Sequence, residues 1–159
     1  MNKKLYPLIL LILYMLFLSV PLSYATDKKP VVIKKSDKCP VCGMFVSGYR
    51  NWLSEIIFID GTYAVFDGPK DMFRYYLNIK KYNPAKTASD ISAIYITEYY
   101  SAELTDARKV FFVQGSDVNG PMGAELVPIA SETGAKEFMK DHKGKKVLRF
   151  SEVTGENLK

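Results

Sequence analysis

The sequence predicts an α+β fold in which antiparallel strands pack against two helices, arranged as two strand-strand-helix units. Three observations favour this class. β-Forming segments flank Asp60-Gly61, a strong hairpin signal. The segment that follows has apolar residues at helical spacing. The second half of the chain repeats the order of strands followed by a helix, a pattern typical of α+β proteins.

The first predicted unit covers residues 52–79. Residues 52–59 and 62–66 are rich in β-branched and aromatic side chains, and Asp60-Gly61 between them predicts that they pair as a hairpin. A turn at Asp67-Gly68-Pro69 then leads into a helix over residues 71–79. Apolar side chains recur there at helical spacing: Met72, Phe73, Tyr76 and Leu77.

The second predicted unit begins after a loop around Asn83-Pro84. Residues 93–100 and 109–113 carry enough β-branched and aromatic side chains to predict two further strands. Residues 117–123 (Asp-Val-Asn-Gly-Pro-Met-Gly) are turn-forming throughout, so they predict a loop that presents a side chain to solvent.

The end of the chain predicts a strand, a helix and a closing strand. Residues 125–129 predict the first of these, Ser131 starts a helix that continues over residues 135–142, and residues 146–150 predict the last strand. Three acidic residues of this half could neighbour a site but are interpreted as turn or cap residues: Asp106, Asp117 and Glu125.

The first 25 residues predict a secretory signal. They combine a basic start, an apolar run at residues 8–18, and small residues at Ser23 and Ala25, so we predict cleavage after Ala25 and a periplasmic or secreted protein. The apolar run is short for a bilayer span, which needs roughly 20 residues, so an uncleaved anchor is the lesser alternative. No cysteine lies near the cleavage point to accept a lipid, and membrane association stays open.

The mature chain is predicted to be one domain with a short leader. Residues 26–37 are charged and predict a mobile leader, and residues 38–159 are long enough for one compact domain. Loss of Lys3 and Lys4 with the signal lowers the formal charge from +5 to +3. The remaining basic residues form no stripe interleaved with aromatic side chains, so nucleic acid is not an expected partner.

Sulfur donors are concentrated in residues 39–44 (Cys-Pro-Val-Cys-Gly-Met). The thiols of Cys39 and Cys42 and the thioether of Met44 are soft ligands, which select copper(I) above other ions. Gly43 permits a positive φ and lets the flanking sulfurs turn towards one centre. A structural zinc site has four ligands, commonly including a second Cys or His pair, and this sequence lacks such a pair.

Two further residues, Met122 and His142, carry side chains that can bind a metal ion. Met122 stands in Gly-Pro-Met-Gly, and a large apolar side chain in a surface turn indicates a ligand or partner role at least as well as core packing. His142 follows a predicted helix and is interpreted as a surface or helix-end residue. The candidate metal ligands are therefore Cys39, Cys42, Met44 and Met122.

The cysteine pair also permits two other interpretations. A local disulfide would close so small a loop that it would restrict the unfolded chain little. A thioredoxin-type redox pair normally opens a helix after a strand, whereas a leader precedes Cys39 and Gly43 follows Cys42 directly. Both alternatives stay open at the level of sequence.

The chain resembles the NosL family, accessory proteins of nitrous oxide reductase maturation that bind copper(I). The resemblance extends over nearly everything after residue 36, and its segments follow the family's order. These segments are residues 39–44, 66–68 with 72–76, 105–110, 115–118 with 120–123, the helix with Ala135, Phe138 and His142, and residues 147–152.

The resemblance implies a copper donor outside the cytoplasm, with strand-strand-helix units shared with alkylmercury lyases. It places the family's Cys-x-Met element on Cys42 and Met44 and its Pro-Met-Gly element on Met122, while Cys39 is an additional thiol. The expected function is a non-enzymatic metallochaperone that delivers Cu(I) to a periplasmic cuproenzyme such as nitrous oxide reductase, or to another copper-handling protein. A thiol-disulfide oxidoreductase using Cys39 and Cys42 is the alternative.

Overall fold

The computed structural model describes residues 28–159, so the expected signal and the first two leader residues lie outside the described part. Within that part, seven strands form two antiparallel sheets accompanied by three α-helices. The strands are β1 (Ser54–Phe58), β2 (Tyr63–Phe66), β3 (Ile91–Thr97), β4 (Leu104–Asp106), β5 (Phe111–Gly120), β6 (Gly123–Ile129) and β7 (Lys146–Arg149). The helices are α1 (Pro69–Leu77), α2 (Ile79–Tyr82) and α3 (Glu132–Asp141).

The first sheet has the strand order β2-β1-β3-β4. β1 is its buried centre: all five of its residues are buried, and it pairs with β2 on one side and β3 on the other. The predicted hairpin is confirmed, since Ser54 lies opposite Phe66 and Ile57 opposite Tyr63. The register brings the end of β2, and therefore Asp67, to the same edge as the start of β1.

The second sheet has the order β6-β5-β7. β5 and β6 form a long hairpin in which Asn119 pairs with Ala124 and Gly120 with Gly123. The hairpin projects beyond β7, which pairs only with the first part of β5, from Phe111 to Gln114. Its tip is consequently free to reach the first sheet and α1.

Helix α1 packs against strands of both sheets. It begins at Pro69, whose missing N–H is no loss in the first turn of a helix, and it buries Met72, Phe73 and Tyr75. The Phe73 ring contacts Phe112 of β5 edge to face, with 5.0 Å between ring centroids. No helix within residues 28–159 is long and apolar enough to cross a membrane.

Across residues 28–159, two groups of buried apolar side chains form the core. The larger joins the first sheet, α1 and the inner face of β5, and it includes Cys39. The smaller lies between the second sheet and α3, around Ala135 and Phe138. The Ser131 Oγ accepts a hydrogen bond from Gly134 N at 3.1 Å, confirming the predicted start of this helix.

The sequence prediction was wrong at residues 117–123. This segment was expected to be a turn throughout, but β5 continues to Gly120 and β6 begins at Gly123, so only Pro121 and Met122 connect them. Asn119 and Gly120 pair with β6, whereas the register of the hairpin shifts between Gln114 and Asn119. Short elements β4 and α2 were also missed, and α2 makes a third helix where two were expected.

The described part of the leader lies along the first sheet. Val31 N donates to Glu55 Oε2 at 2.9 Å, and Tyr95 OH donates to the Lys28 carbonyl at 2.8 Å. Val31 and Ile33 also pack against the larger core group. The division into a leader and a domain beginning at residue 38 stays a prediction.

Candidate metal centre

The loop of residues 38–45 turns both cysteines towards the protein interior. Lys38 and Phe45 form an isolated antiparallel bridge, and Cys39 N donates to the Met44 carbonyl at 2.9 Å. Gly43 N donates back to the Cys39 carbonyl at 2.9 Å. Gly43 has a φ of 81°, which confirms the expectation that glycine is used here for a positive φ.

Each cysteine thiol faces a carboxylate. Cys39 Sγ donates to Asp71 Oδ2 at 3.4 Å, and Cys42 Sγ donates to Asp67 Oδ1 at 3.1 Å. One ligand atom from each of these four residues lies within 4.8 Å of every other. Both cysteines are free thiols, Cys39 buried and Cys42 half-buried. Two thiols and two carboxylates therefore converge on one small region that could hold a metal ion.

The two carboxylates come from the junction between β2 and α1. Asp67 directly follows β2, and Asp71 stands in the first turn of α1, four residues later. Arg74 Nη1 donates to Asp71 Oδ1 at 2.7 Å and holds that carboxylate in place. Asp67 is completely buried, and its Oδ2 has no hydrogen-bond partner among the described residues. A buried carboxylate oxygen without a hydrogen-bond partner is available to bind a cation or to accept a proton.

Burial keeps both thiols protonated. It raises the pKa of Cys42 to about 11, with the Asp67 carboxylate adding to the increase and a hydrogen bond from the backbone at Met44 opposing it. Burial raises the pKa of the Cys39 thiol further still. An entering metal ion must therefore displace protons from these thiols at neutral pH.

The two candidate thioether ligands occupy different positions. Met44 is half-buried in the cysteine loop, and its carbonyl accepts the hydrogen bond from Cys39 N. Met122 is 47% exposed at the tip of the β5–β6 hairpin, as expected for a surface turn. The preceding residue, Pro121, places its Cδ 4.0 Å from where a Cβ on Gly68 would lie. The hairpin tip thus lies beside the residue that follows Asp67, and both thioether ligand roles stay predictions.

Glu125 connects the hairpin to the same junction. Its side chain is buried, and Oε1 accepts hydrogen bonds from Lys70 N at 2.7 Å and Leu126 N at 2.9 Å. Burial raises the pKa of Glu125 to about 7, although both hydrogen bonds act to lower it. Glu125 was interpreted as a turn or cap residue, but it lies within β6 and accepts an N–H from the first turn of α1 across 55 residues of sequence.

His142 lies outside the group of converging ligand atoms. It ends α3, its ring stacks on Phe138 with 4.2 Å between centroids, and its Nδ1 lies 3.2 Å from Asp117 Oδ1. This agrees with its interpretation as a helix-end residue. A cavity of about 570 Å³ also lies apart from the thiols, beside the carboxyl end of α1 at Tyr76 and Leu77.

Sequence reasoning missed Asp67 and Asp71. It treated Asp67 as part of a turn and Asp71 as a helix-start residue, which describes their backbone but not their side chains. Their spacing of four residues was the available signal, because it can place two carboxylates on one side of a helix start. Their approach to the thiols depends on how the cysteine loop folds over this junction.

Comparison with known proteins gives three agreeing findings. A family model described as NosL matches residues 30–158. The "Copper-binding lipoprotein NosL" of Stutzerimonas stutzeri is 29% identical over 127 residues, which are 79% of this chain and 66% of that protein. The matched region is thus slightly less than two thirds of that relative's length.

The third finding is structural. The crystal structure of the copper chaperone NosL from Shewanella denitrificans superposes on this chain with a TM-score of 0.67, covering 81% of this chain and 98% of that one. The two sequences are 22% identical, so the match shows a shared fold. It agrees with the α+β architecture predicted from the sequence.

Proposed function

The chain belongs to the NosL family, and from this premise we propose that it is an exported carrier of copper(I) that passes the ion to another copper-handling protein. The observation that carries the proposal is the convergence of the Cys39 and Cys42 thiols with Asp67 and Asp71, and the tip of the β5–β6 hairpin lies beside the same junction. Thiol and thioether sulfur are the soft donors that copper(I) prefers.

The proposed ligand set uses all four sulfur atoms of these residues in unequal roles. Cys42 binds as a thiolate and Met44 and Met122 bind as thioethers, while Cys39 serves as an additional or exchange ligand. Thioethers carry no proton that must leave, so they retain donor strength when thiols are protonated. This matters here because burial raises the pKa of both thiols.

Asp67 and Asp71 supply the route by which protons leave. Each thiol hydrogen already lies on a hydrogen bond to a carboxylate, from Cys42 to Asp67 and from Cys39 to Asp71. When a sulfur–copper bond forms, the S–H bond breaks and the proton passes to that carboxylate oxygen before it reaches solvent. Buried Asp67 Oδ2, which has no partner in the described structure, provides further acceptor capacity.

Release to a recipient follows from the partial exposure of the site. Cys42 and Met44 are half-buried and Met122 is exposed, so an incoming ligand approaches from the hairpin side. Stepwise ligand exchange would then move copper without releasing it to solvent. We propose a periplasmic cuproenzyme such as nitrous oxide reductase as the recipient, on the strength of family membership and the export signal expected in residues 1–25.

The thiol-disulfide alternative is disfavoured by the thiol environment. Exchange requires a thiolate nucleophile, and redox-active cysteines have a pKa lowered by a helix N-terminus or a nearby cation. Here burial and a neighbouring carboxylate raise the pKa of Cys42 to about 11. The cysteine loop also ends at the β-bridge residue Phe45 and leads into a short 3₁₀ turn, Val46–Gly48, rather than into an α-helix.

The deciding experiment is an anaerobic titration of the reduced mature protein with Cu(I) against a chromogenic chelator. We expect one equivalent to bind, with affinity about 100-fold lower in Cys42→Ser and about tenfold lower in Met44→Leu and Met122→Leu, each factor of ten corresponding to 1.4 kcal/mol. Met139→Leu is the matched control, because Met139 packs in the smaller core group. A wild-type protein that cannot compete for copper would refute the proposal.

A further inference from the structure

The tip of the β5–β6 hairpin, which carries Met122, is attached to the start of α1 by one buried carboxylate. Glu125 is only 5% exposed, and its Oε1 accepts hydrogen bonds from Leu126 N in its own strand and from Lys70 N in α1. A single oxygen atom thereby connects the hairpin to the segment that follows Asp67.

The surrounding backbone is shaped to admit this carboxylate. A Cβ built on Gly68 would overlap Glu125 Oε2, and a Cβ on Gly120 would lie 3.1 Å from Glu125 Cγ. Gly68 has an extended φ of −165°, which any residue can adopt, so its lack of a side chain serves space rather than backbone conformation. Two glycines from two different elements therefore leave room for one side chain.

A second contact ties the same two elements. Lys70 Nζ donates to the Ala124 carbonyl at 2.6 Å. Lys70 therefore makes two hydrogen bonds to β6, one from its backbone N–H to Glu125 and one from its side chain to Ala124. The backbone and side chain of Lys70 thus hold adjacent positions of β6. Sliding or tilting of the hairpin relative to α1 would break both bonds.

Burying a carboxylate between two elements costs desolvation free energy. Desolvation disfavours the ionised form, and an apolar side chain would fill the same space without that cost. Hydrogen bonds, unlike apolar contacts, fix direction and distance within tenths of an ångström. The use of a carboxylate here therefore indicates that the position of the hairpin tip matters more than the stability of its packing.

We infer that Glu125 is a positioning residue of the copper centre: by holding the β5–β6 hairpin against the start of α1, it sets the Met122 thioether relative to Cys42. The inference rests on the proposed function and deepens it. Glu125 binds no copper itself, and its effect on copper passes through Met122. Removing the carboxylate should consequently weaken copper binding only when Met122 is present.

The test is a double-mutant cycle on Cu(I) affinity with Glu125→Ala, Met122→Leu and the combined variant. We expect Glu125→Ala to lower affinity about tenfold, and to have almost no further effect in the Met122→Leu background, because contacting or coupled residues are non-additive. Glu125→Gln keeps an acceptor at Oε1 and should bind copper nearly as the wild type does. Multiplicative losses in the combined variant would overturn the inference.

Two additions protect the test from a merely structural effect. Lys70→Met removes the tie to Ala124 while leaving Glu125 in place, and it should cause a smaller loss that also vanishes without Met122. Glu152→Ala is the matched control, because Glu152 also accepts a backbone N–H, from Arg149 at 2.7 Å, but is exposed and lies at the other end of β5 from the hairpin tip. This variant should bind copper as the wild type does.

X-ray absorption at the copper edge gives an independent readout. Glu125→Ala should lose one sulfur neighbour of copper, as Met122→Leu does, whereas a variant that is only less stable should keep the wild-type count. An unchanged count in Glu125→Ala would contradict the inference. Failure of the wild-type protein to bind Cu(I) at all would instead refute the proposed function, so the two failures are distinguishable.

Discussion

At the scale of single residues, protons compete with copper for the thiols. Because the pKa of Cys42 is raised to about 11 and that of Cys39 is also raised, both thiols are protonated through the neutral range. Each thiol that binds as a thiolate then contributes about one unit to the slope of log affinity against pH.

We therefore predict that the apparent Cu(I) affinity rises with pH by a slope of about 2 in the wild type and about 1 in Cys39→Ser, between about pH 6.5 and 8.5. The measurement is chelator competition at several pH values, corrected for protonation of the chelator. A wild-type slope near 1 would show that Cys39 does not bind as a thiolate, and a slope near zero would show that neither thiol does.

The carboxyl group of Glu125 should also make the free energy of unfolding depend on pH. Its pKa is raised to about 7 in the folded protein from 4.5, so between these values the folded state binds more protons than the unfolded state. Stability should accordingly fall as pH rises from about 5 to about 7.5. Urea unfolding should show this fall in the wild type and a smaller one in Glu125→Gln.

Some of that slope should remain in Glu125→Gln. Burial also raises the pKa of Glu55, whose Oε1 has no hydrogen-bond partner among the described residues. Glu55→Gln should remove a further part, and the double variant should be nearly flat over this range. Stability that rose with pH in the wild type would contradict both assignments.

Residue chemistry was predictable from the sequence where it depended on local spacing. The sulfur group of residues 39–44 and the positive φ of Gly43 follow from six consecutive residues. The carboxylate partners did not follow, because Asp67 and Asp71 meet the thiols only through tertiary packing. Spacing along the chain carries no information about which loop will cover a helix start.

At the scale of elements, the junction between β2 and α1 is where the cysteine loop and the hairpin meet. Gly68 leaves no room for a side chain, since a Cβ there would overlap Glu125 Oε2. Any side chain at this position must push the hairpin or displace the carboxylate from Lys70 N.

Gly68→Ala should therefore destabilise the fold by about 1–3 kcal/mol, as overpacked core positions do, and should also weaken Cu(I) binding. Chemical denaturation and chelator competition measure the two effects. Gly155→Ala is the control, because no atom lies within 4 Å of a Cβ at Gly155 and its φ is not positive. Equal behaviour of the two variants would mean that the junction has more space than the structure indicates.

Element boundaries show what composition alone cannot decide. The first hairpin and two helices were predicted because local signals and tertiary packing agree at those positions. Residues 117–120 were predicted as turn because Asp, Asn and Gly favour turns in isolation. Pairing of Asn119 and Gly120 with β6 overrides that preference, and the partner strand lies beyond the window that a turn rule considers.

At the scale of the whole molecule, copper would join parts that otherwise belong to different sheets. The cysteine loop packs with the first sheet, whereas the Met122 turn belongs to the second. A ligand that binds only the folded state stabilises it, by about 2.7 kcal/mol at a free concentration 100 times its Kd.

Copper loading should consequently raise the melting temperature and slow amide hydrogen exchange mainly in residues 38–45 and 119–124. Exchange followed by mass spectrometry, with and without one equivalent of Cu(I), measures this distribution. Helix α3 serves as the internal reference, because it packs in the smaller core group away from the thiols. Protection confined to the cysteine loop would exclude a role for the hairpin.

The order of these segments along the chain has a consequence for biosynthesis. Asp71 follows Cys39 by 32 residues, and Glu125 follows Lys70 by 55, so the cysteines are synthesised before the carboxylates and before the hairpin. Until those later segments have emerged and folded, the thiols lack the groups that bury them. During that interval each thiol has the ordinary acidity of an exposed cysteine. The nascent chain is therefore more easily oxidised than the finished protein, and folding is what protects the cysteines.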